Sequence, residues 1–130
     1  MRLLNLTPML WTANLEGTME FYATQLGFTI SNYNEEWGWV HLNRDGAGIM
    51  FALPNTHEAF DKPACTGTFY FYCDEVDNLW EKLKDPPFVY YGIENFEYGM
   101  REFAIKDNNG YILQFGCEIV QYKKNIANNA

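Results

Sequence analysis

Basic residues and histidines are scarce in this chain of 130 residues. Nine Lys and Arg stand against 17 Asp and Glu, there are two His, and the formal net charge is −8. Nucleic-acid binding needs clustered Lys and Arg to neutralise phosphates, so we expect no nucleic-acid partner. The same charge argues against an anionic membrane surface, and no apolar run approaches the roughly 20 residues that span a bilayer. We therefore expect no membrane partner.

Cysteine is also scarce, and its spacing is uninformative for pairing. Cys65, Cys73 and Cys117 form an odd set without a CxxC motif, which indicates reduced thiols rather than a disulfide framework. Residues 1–4 lack the charged region, the long apolar region and the cleavage site of a signal peptide. From these two features we expect a cytoplasmic protein.

Aromatic residues, in contrast, are abundant. The chain contains 4 Trp, 9 Tyr and 10 Phe, which together make up 18% of its residues. Because Tyr and Trp combine an apolar ring with a polar atom, one interpretation is a pocket or interface lined by rings. The other is β-propensity alone, since aromatic residues favour strands.

The hydrophobic pattern of residues 1–54 predicts the order strand, helix, strand, strand, strand. Asn14 is a good helix N-cap, and Gly27 is placed to end the helix in a left-handed conformation. Four apolar residues follow the N-cap at helical spacing: Leu15, Met19, Tyr22 and Leu26. The predicted strands are Leu6–Thr12, Phe28–Tyr33, Trp37–Leu42 and Gly48–Leu53.

The same order recurs in residues 67–118, after a linker at residues 55–66. Asp74 is the predicted N-cap of the second helix. The predicted strands are Thr68–Cys73, Phe88–Ile93, Arg101–Lys106 and Tyr111–Gly116. The opening strands are offset by 61 residues and the closing strands by 62, which indicates a duplicated module. Residues 119–130 form a polar tail that we expect to fray from Lys123 onward.

Two tandem βαβββ modules predict an α+β fold with mostly antiparallel sheets and with the helices on their outer face. Placed side by side, the two modules would curl into a cup, and alternation along each strand sorts the side chains between helix and cup. Ten residues are predicted to face the cup and to bind a ligand there: Thr7, Met9, Trp11, Trp37, Trp39, His41, Thr68, Tyr70, Tyr72 and Gln114.

Three segments resemble the vicinal oxygen chelate superfamily. They are TPMLWTAN at residues 7–14, MEFYATQLGF at residues 19–28 and YGMREFAIKDNNGYILQF at residues 98–115. This superfamily includes glyoxalase I, extradiol dioxygenases, fosfomycin-resistance enzymes and bleomycin-resistance proteins. The resemblance extends from about Leu3 to Glu118. In character the chain is most similar to the metal-free, bleomycin-resistance-like branch.

The resemblance also implies where a metal would be held. Enzymes of this superfamily bind a divalent metal through His and Glu on the first, fourth, fifth and eighth strands. The corresponding positions here are Thr7, Ala52, Thr68 and Gln114. Ala52 cannot coordinate a metal, and neutral Thr and Gln oxygens bind Zn, Fe or Ni poorly. We therefore predict neither a metal nor another cofactor.

Three functions remain open on this basis. The first is a metal-independent homodimer that binds a small aromatic or cationic molecule and sequesters an antibiotic or metabolite. The second is a glyoxalase- or dioxygenase-type enzyme, a lyase or isomerase, that uses a relocated metal or employs His41 and Glu102 as acid and base. The third is a structural paralogue whose cup is filled by its own rings.

Arg101 is an isolated base close to Glu97 and Glu102. One interpretation is an ion pair at the end of a strand, which contributes little energy when it is exposed. The other is an anchor for a carboxylate on a ligand.

Overall fold

A computed structural model describes residues 1–85 and 87–129. The chain divides into two compact units, Met1–Ala64 and Cys65–Ala130, so the division falls inside the segment predicted as a linker. Each unit contains one four-stranded sheet. Across the described residues, no helix is both long and apolar enough to cross a membrane.

The first module follows the predicted order of elements. It contains β1 (Met9–Trp11), α1 (Leu15–Leu26), β2 (Thr29–Asn34), β3 (Trp39–Arg44) and β4 (Ala47–Ala52). The sheet order is β1-β4-β3-β2, with β1 parallel to β4 and the other pairs antiparallel. The Asn14 side chain accepts a hydrogen bond from the Gly17 amide, and Gly27 ends the helix at a φ of 69°, as predicted. The core on the α1 side contains Tyr22, Val40, Leu42, Ile49 and Phe51.

The second module repeats this topology. It contains β5 (Phe69–Tyr72), α2 (Val76–Leu83), β6 (Val89–Asn95), β7 (Met100–Lys106), β8 (Ile112–Glu118) and α3 (Ile119–Asn129). The sheet order is β5-β8-β7-β6, again with the first strand parallel to the last. The prediction of two βαβββ units is therefore confirmed. The core on the α2 side contains Val76, Leu83, Phe103, Ile105, Leu113 and Phe115.

Trp37 and Leu53 do not lie where the sequence pattern placed them. Trp37 lies in the turn before β3, where its side chain is 77% exposed, and its prediction as a strand residue is wrong. Gly38 causes this difference because it closes the turn at a φ of 66°, which local alternation does not reveal. Leu53 follows β4 and is 45% exposed, although its amide still bonds the Gly38 carbonyl over 2.8 Å in register with the β3–β4 ladder.

The ends of the second module's helices also differ from prediction. Helix α2 begins after Glu75 rather than after Asp74, and no side chain caps it. The tail predicted to fray from Lys123 is helical to Asn129, while Ala130 lies outside the described residues. Contacts distant in sequence hold α3: Asn125 donates to the Asp74 carbonyl over 2.8 Å.

Candidate functional site

The face of the second sheet that points away from its core carries polar and aromatic side chains. Tyr70 pairs with Gln114 across β5 and β8, and Glu102 pairs with Gly116 across β7 and β8. Paired residues project to the same side of a sheet, and they alternate with core residues such as Phe115. We call this surface the open face of the second module.

Glu102 lies at the centre of the open face and is 1% exposed. Its Oε2 accepts a hydrogen bond from the Tyr70 hydroxyl over 2.5 Å, and its Oε1 accepts from Tyr91 over 2.9 Å and from Tyr98. A buried charge is usually paired with an opposite charge. In residues 1–85 and 87–129, however, Glu102 takes part in no ion pair. Within the described part of the chain, its carboxylate is therefore held by tyrosine hydroxyls rather than by a cation.

A chain of hydrogen bonds extends from this carboxylate across the sheet. Gln114 donates through Nε2 to the Tyr91 hydroxyl over 2.8 Å, and its Oε1 accepts from the Thr68 hydroxyl over 2.5 Å. The chain therefore runs from Thr68 on one edge, through Gln114 and Tyr91, to Glu102. Such connected polar groups hold one another in a fixed geometry.

Two tyrosines of this network resist ionisation. Burial is the main cause that raises the pKa of Tyr70 and Tyr91 above the usual tyrosine value; the Gln114 hydrogen bond lowers the pKa of Tyr91, and hydrogen bonding to the Glu102 carboxylate raises the pKa of both. Both hydroxyls therefore remain protonated donors at neutral pH.

Gly116 provides the space that this network requires. A Cβ atom at Gly116 would overlap with the Tyr70 hydroxyl and would lie 2.9 Å from the Tyr70 Cζ atom. The Tyr70 ring therefore crosses β8 where a side chain is missing, and this path brings its hydroxyl to Glu102.

Aromatic rings surround the carboxylate. Phe96 stacks on Tyr98 with a centroid distance of 5.4 Å, and Tyr91 meets Phe96 edge-on at 5.7 Å. Tyr70 lies 4.9 Å from Tyr72. Tyr72 is 81% exposed and Tyr98 is 64% exposed, so two of these rings are accessible to a molecule from solution.

The corresponding face of the first module is less polar. Met50 lies between its two paired neighbours, Met9 on β1 and His41 on β3. Trp39 donates through Nε1 to the Met50 sulfur over 3.3 Å, and Trp11 meets Phe60 edge-on at 5.8 Å. His41 Nε2 is buried without a hydrogen-bond partner in the part of the chain that the structure describes.

Four of the ten predicted ligand residues lie in or beside this network. Thr68, Tyr70 and Gln114 belong to the network around Glu102, and Tyr72 lies beside it. Trp37 is displaced into a turn. The other five are all in the first module: Thr7, Met9, Trp11, Trp39 and His41.

Three residues of the network are absent from the predicted set, namely Tyr91, Tyr98 and Gly116. The hydrogen bonds of the two tyrosines to Glu102 have no signal in the sequence. The register of β6 shifts between Val89 and Tyr91 and again before Glu94, so alternation does not predict its faces.

The metal positions implied by the resemblance do not fit a divalent metal. Thr68 and Gln114 use their side-chain oxygens to bond each other, Ala52 has no donor atom, and Thr7 offers one neutral hydroxyl. No group of three His, Cys, Asp or Glu residues that could hold a metal occurs among the described residues. The donor set therefore lacks the imidazole and carboxylate ligands that such metals require.

The strand pairings also refine the match between the two modules. If the threonines at positions 7 and 68 are equivalent, Met9 is equivalent to Tyr70, two residues further along each strand. Tyr70 pairs with Gln114 and Met9 pairs with Met50, so the pairings match Met50 rather than Ala52 to Gln114. Either match leaves the fourth-strand position without an oxygen or nitrogen ligand.

Arg101 forms an ion pair, which is the first of the two roles that the sequence left open for it. Its Nε and Nη2 atoms donate to the two Asp77 oxygens over 2.9 and 2.8 Å, and Nη1 donates to Asn95 over 3.1 Å. The Tyr122 ring lies 4.2 Å below the guanidinium. Arg101 therefore connects α2 and α3 to β7 on the core side, away from the open face.

We expect Arg101→Met to lower the free energy of unfolding by about 2 kcal/mol. The substitution breaks a half-buried bidentate ion pair and leaves the Asp77 carboxylate without its partner. Chemical denaturation measures this loss. Lys84→Met is the matched control, since its pair with Glu81 is exposed and should contribute less than about 0.5 kcal/mol. Equal losses in the two variants would contradict the structural role of Arg101.

The chain matches the profile of a known protein superfamily. The profile of the Glyoxalase/Bleomycin resistance protein/Dioxygenase superfamily matches residues 5–115. No curated protein sequence matches the chain significantly. The profile match covers most of both modules.

Solved structures of this kind resemble the chain despite low sequence identity. A glyoxalase/bleomycin resistance protein/dioxygenase from Nocardioides has a TM-score of 0.72 at 18% identity, covering 91% of this chain and 85% of its own. Lactoylglutathione lyase from Agrobacterium tumefaciens has a TM-score of 0.67 at 15% identity, covering 88% and 92%. TioX from Micromonospora sp. ML1 has a TM-score of 0.67 at 14% identity, covering 87% and 97%. At these identities the likeness shows the fold alone.

Proposed function

The chain belongs to the glyoxalase/bleomycin resistance protein/dioxygenase superfamily, and on this premise we propose that it binds a small molecule without a metal. Its role would be to sequester an antibiotic or a metabolite, in the manner of the bleomycin-resistance-like members. The ligand docks on the open face of the second module. The fold alone does not lead to this function, because one fold supports many chemistries and function resides in the site.

The observation that carries the proposal is the exposed aromatic surface around a buried carboxylate. Tyr72 and Tyr98 offer accessible rings, and Glu102 with its three hydroxyl partners offers a fixed polar centre. Ligand sites typically combine apolar and aromatic walls with a few well-placed polar groups. Thr68 and Gln114, at two of the implied metal positions, belong to this polar network and bond each other.

The proposal is tested by measuring metal content and ligand binding on one sample, purified without added metal. We expect much less than one equivalent of metal by elemental analysis. When a library of cationic, neutral and anionic aromatic compounds is screened by NMR, at least one compound should bind saturably, and its binding should persist when a metal chelator is present. A binding step that requires stoichiometric metal, or a library without any ligand, would contradict the proposal.

A matched pair of variants locates the binding surface. Tyr72→Ala removes an exposed ring beside Tyr70 and should weaken binding about tenfold, the amount expected from a lost stacking contact. Tyr33→Ala removes a tyrosine that is also exposed but lies in the first module, and it should leave the affinity unchanged. Equal effects of both variants would place the ligand elsewhere.

A second candidate is an enzyme that uses His41 or Glu102. The buried Nε2 of His41, which lacks a hydrogen-bond partner in the described residues, favours it. Glu102 favours it less, because its two carboxylate oxygens accept three hydroxyl hydrogen bonds, of which the one from Tyr98 comes from a mostly exposed side chain. If His41→Gln abolished turnover of a bound ligand and preserved its binding, the enzyme would replace the binding protein as the better account.

A further inference from the structure

We infer that the ligand of the open face is an organic cation bearing at least one N–H group, which donates to Oε1 of Glu102. This inference rests on the proposed function and narrows its ligand class. It depends on the charges of the face, on its rings and on the unequal hydrogen bonding of the two carboxylate oxygens.

The charges of the open face are unbalanced. Glu94 pairs directly with Glu102 across β6 and β7, and Glu118 follows Gly116 at the next position of β8 that projects to this side. Like charges opposite each other destabilise a sheet. The cation of β7 that projects to this side is Lys106, and its Nζ lies 5.2 Å from the Tyr90 ring. A bound cation would supply the missing positive charge next to Glu102.

The rings around Glu102 suit the same ligand. An ammonium group is attracted to the face of an aromatic ring, and the attraction increases when the group is desolvated. Tyr72 and Tyr98 present such rings at the surface, and Phe96 backs Tyr98 at a stacking distance. A neutral or anionic ligand would gain stacking here but would add nothing to the charge balance.

The hydrogen bonds of Glu102 indicate where an N–H group would enter. Oε1 accepts from two hydroxyls, those of Tyr91 and Tyr98, whereas Oε2 accepts from Tyr70. Tyr91 is held by its hydrogen bond from Gln114. Tyr98, in contrast, is mostly exposed and lies in a turn, next to Gly99, whose φ is 88°. The Tyr98 hydroxyl is therefore the replaceable donor. An ammonium N–H takes its place on Oε1, and the Tyr98 ring remains as a wall.

Three probes of one shape test the ligand class by calorimetry or NMR titration. They are 2-phenylethylamine, which is a cation with N–H groups, 2-phenylethanol, which is neutral, and the N-trimethyl derivative of the amine, which is a cation without N–H. A hydrogen bond to a charged group is worth about tenfold or more in affinity. We expect the amine to bind at least about tenfold more tightly than the alcohol, with the trimethyl compound between them.

Two variants test the assigned atoms. Glu102→Gln should remove the preference for the amine over the alcohol, whereas Glu20→Gln, on the exposed surface of α1, should leave it unchanged. Tyr98→Phe keeps the ring and removes the competing donor, so it should increase amine affinity by about threefold or more. A merely structural hydroxyl would not give an increase, which keeps the test valid even if Glu102→Gln folds poorly.

The outcomes separate this inference from the proposed function. Equal affinity for amine and alcohol, or reduced amine affinity in Tyr98→Phe, overturns the inference alone and leaves a binding protein for another ligand class. Absence of amine binding also overturns it when neutral or anionic members of the library bind the same face. A library without any ligand overturns both.

Discussion

Gly116→Ala is expected to lower the free energy of unfolding by about 3 kcal/mol, the sum of an overpacking cost and a disturbed hydrogen bond to a charge. The new methyl group would occupy the space of the Tyr70 hydroxyl. Tyr70 would then move away from Glu102 and leave the Oε2 atom of a buried carboxylate without a donor. Thermal and chemical denaturation of the purified variant measure the loss.

Two further variants separate this steric effect from the general effect of replacing glycine. Gly67→Ala is the matched control in the same module, because a Cβ atom there has no neighbour within 4 Å. Adding Tyr70→Phe to Gly116→Ala removes the overlapping oxygen and should recover part of the lost stability. A harmless Gly116→Ala variant would show that Tyr70 does not cross β8 at this position.

Stability is expected to fall in alkali, because the pKa values of Tyr70 and Tyr91 are raised on folding. The unfolded chain releases these protons near the ordinary tyrosine pKa of about 10, while the folded chain retains them. Their contribution is therefore complete below about pH 10 and is lost as the pH rises towards the folded-state pKa values. Each tyrosine that ionises only on unfolding costs about 1.4 kcal/mol per pH unit.

Ultraviolet absorbance of tyrosinate and denaturation at a series of alkaline pH values check this expectation together. The hydroxyls of Tyr70 and Tyr91 should ionise only as the protein unfolds. Tyr70→Phe should make the alkaline fall in stability shallower, whereas Tyr72→Phe, an exposed neighbour, should not. A stability that does not change through this pH range would contradict the protection of these hydroxyls.

Most of the fold could be predicted from local patterns. Helical spacing in α1, the Asn14 cap and the Gly27 end were visible because each depends on residues close in sequence. The position of Trp37 was not, because it depends on the positive φ of Gly38. Helix α3 was missed for another reason: a polar composition conceals tertiary contacts such as that between Asn125 and Asp74.

The site could be predicted only in part. Alternation correctly placed Thr68, Tyr70 and Gln114 on one face, since these residues lie on regular ladders or beside them. It could not place Tyr91, because β6 shifts register twice. The burial of Glu102 was also hidden, since glutamate is rarely buried and no periodic pattern marks a carboxylate covered by hydroxyls.

The hydrogen-bond chain from Thr68 to Glu102 has a consequence for how the second module opens. Regions held by few contacts open most easily, and an edge strand has only one neighbouring strand. Here side chains bind edge strand β5 through Tyr70 and edge strand β6 through Tyr91 to the same carboxylate on β7. Neither edge strand can detach without removing a hydrogen-bond donor from the buried Glu102 carboxylate. The four strands should therefore lose their structure cooperatively, and the sheet should behave as one rigid plate on the timescale of hydrogen exchange.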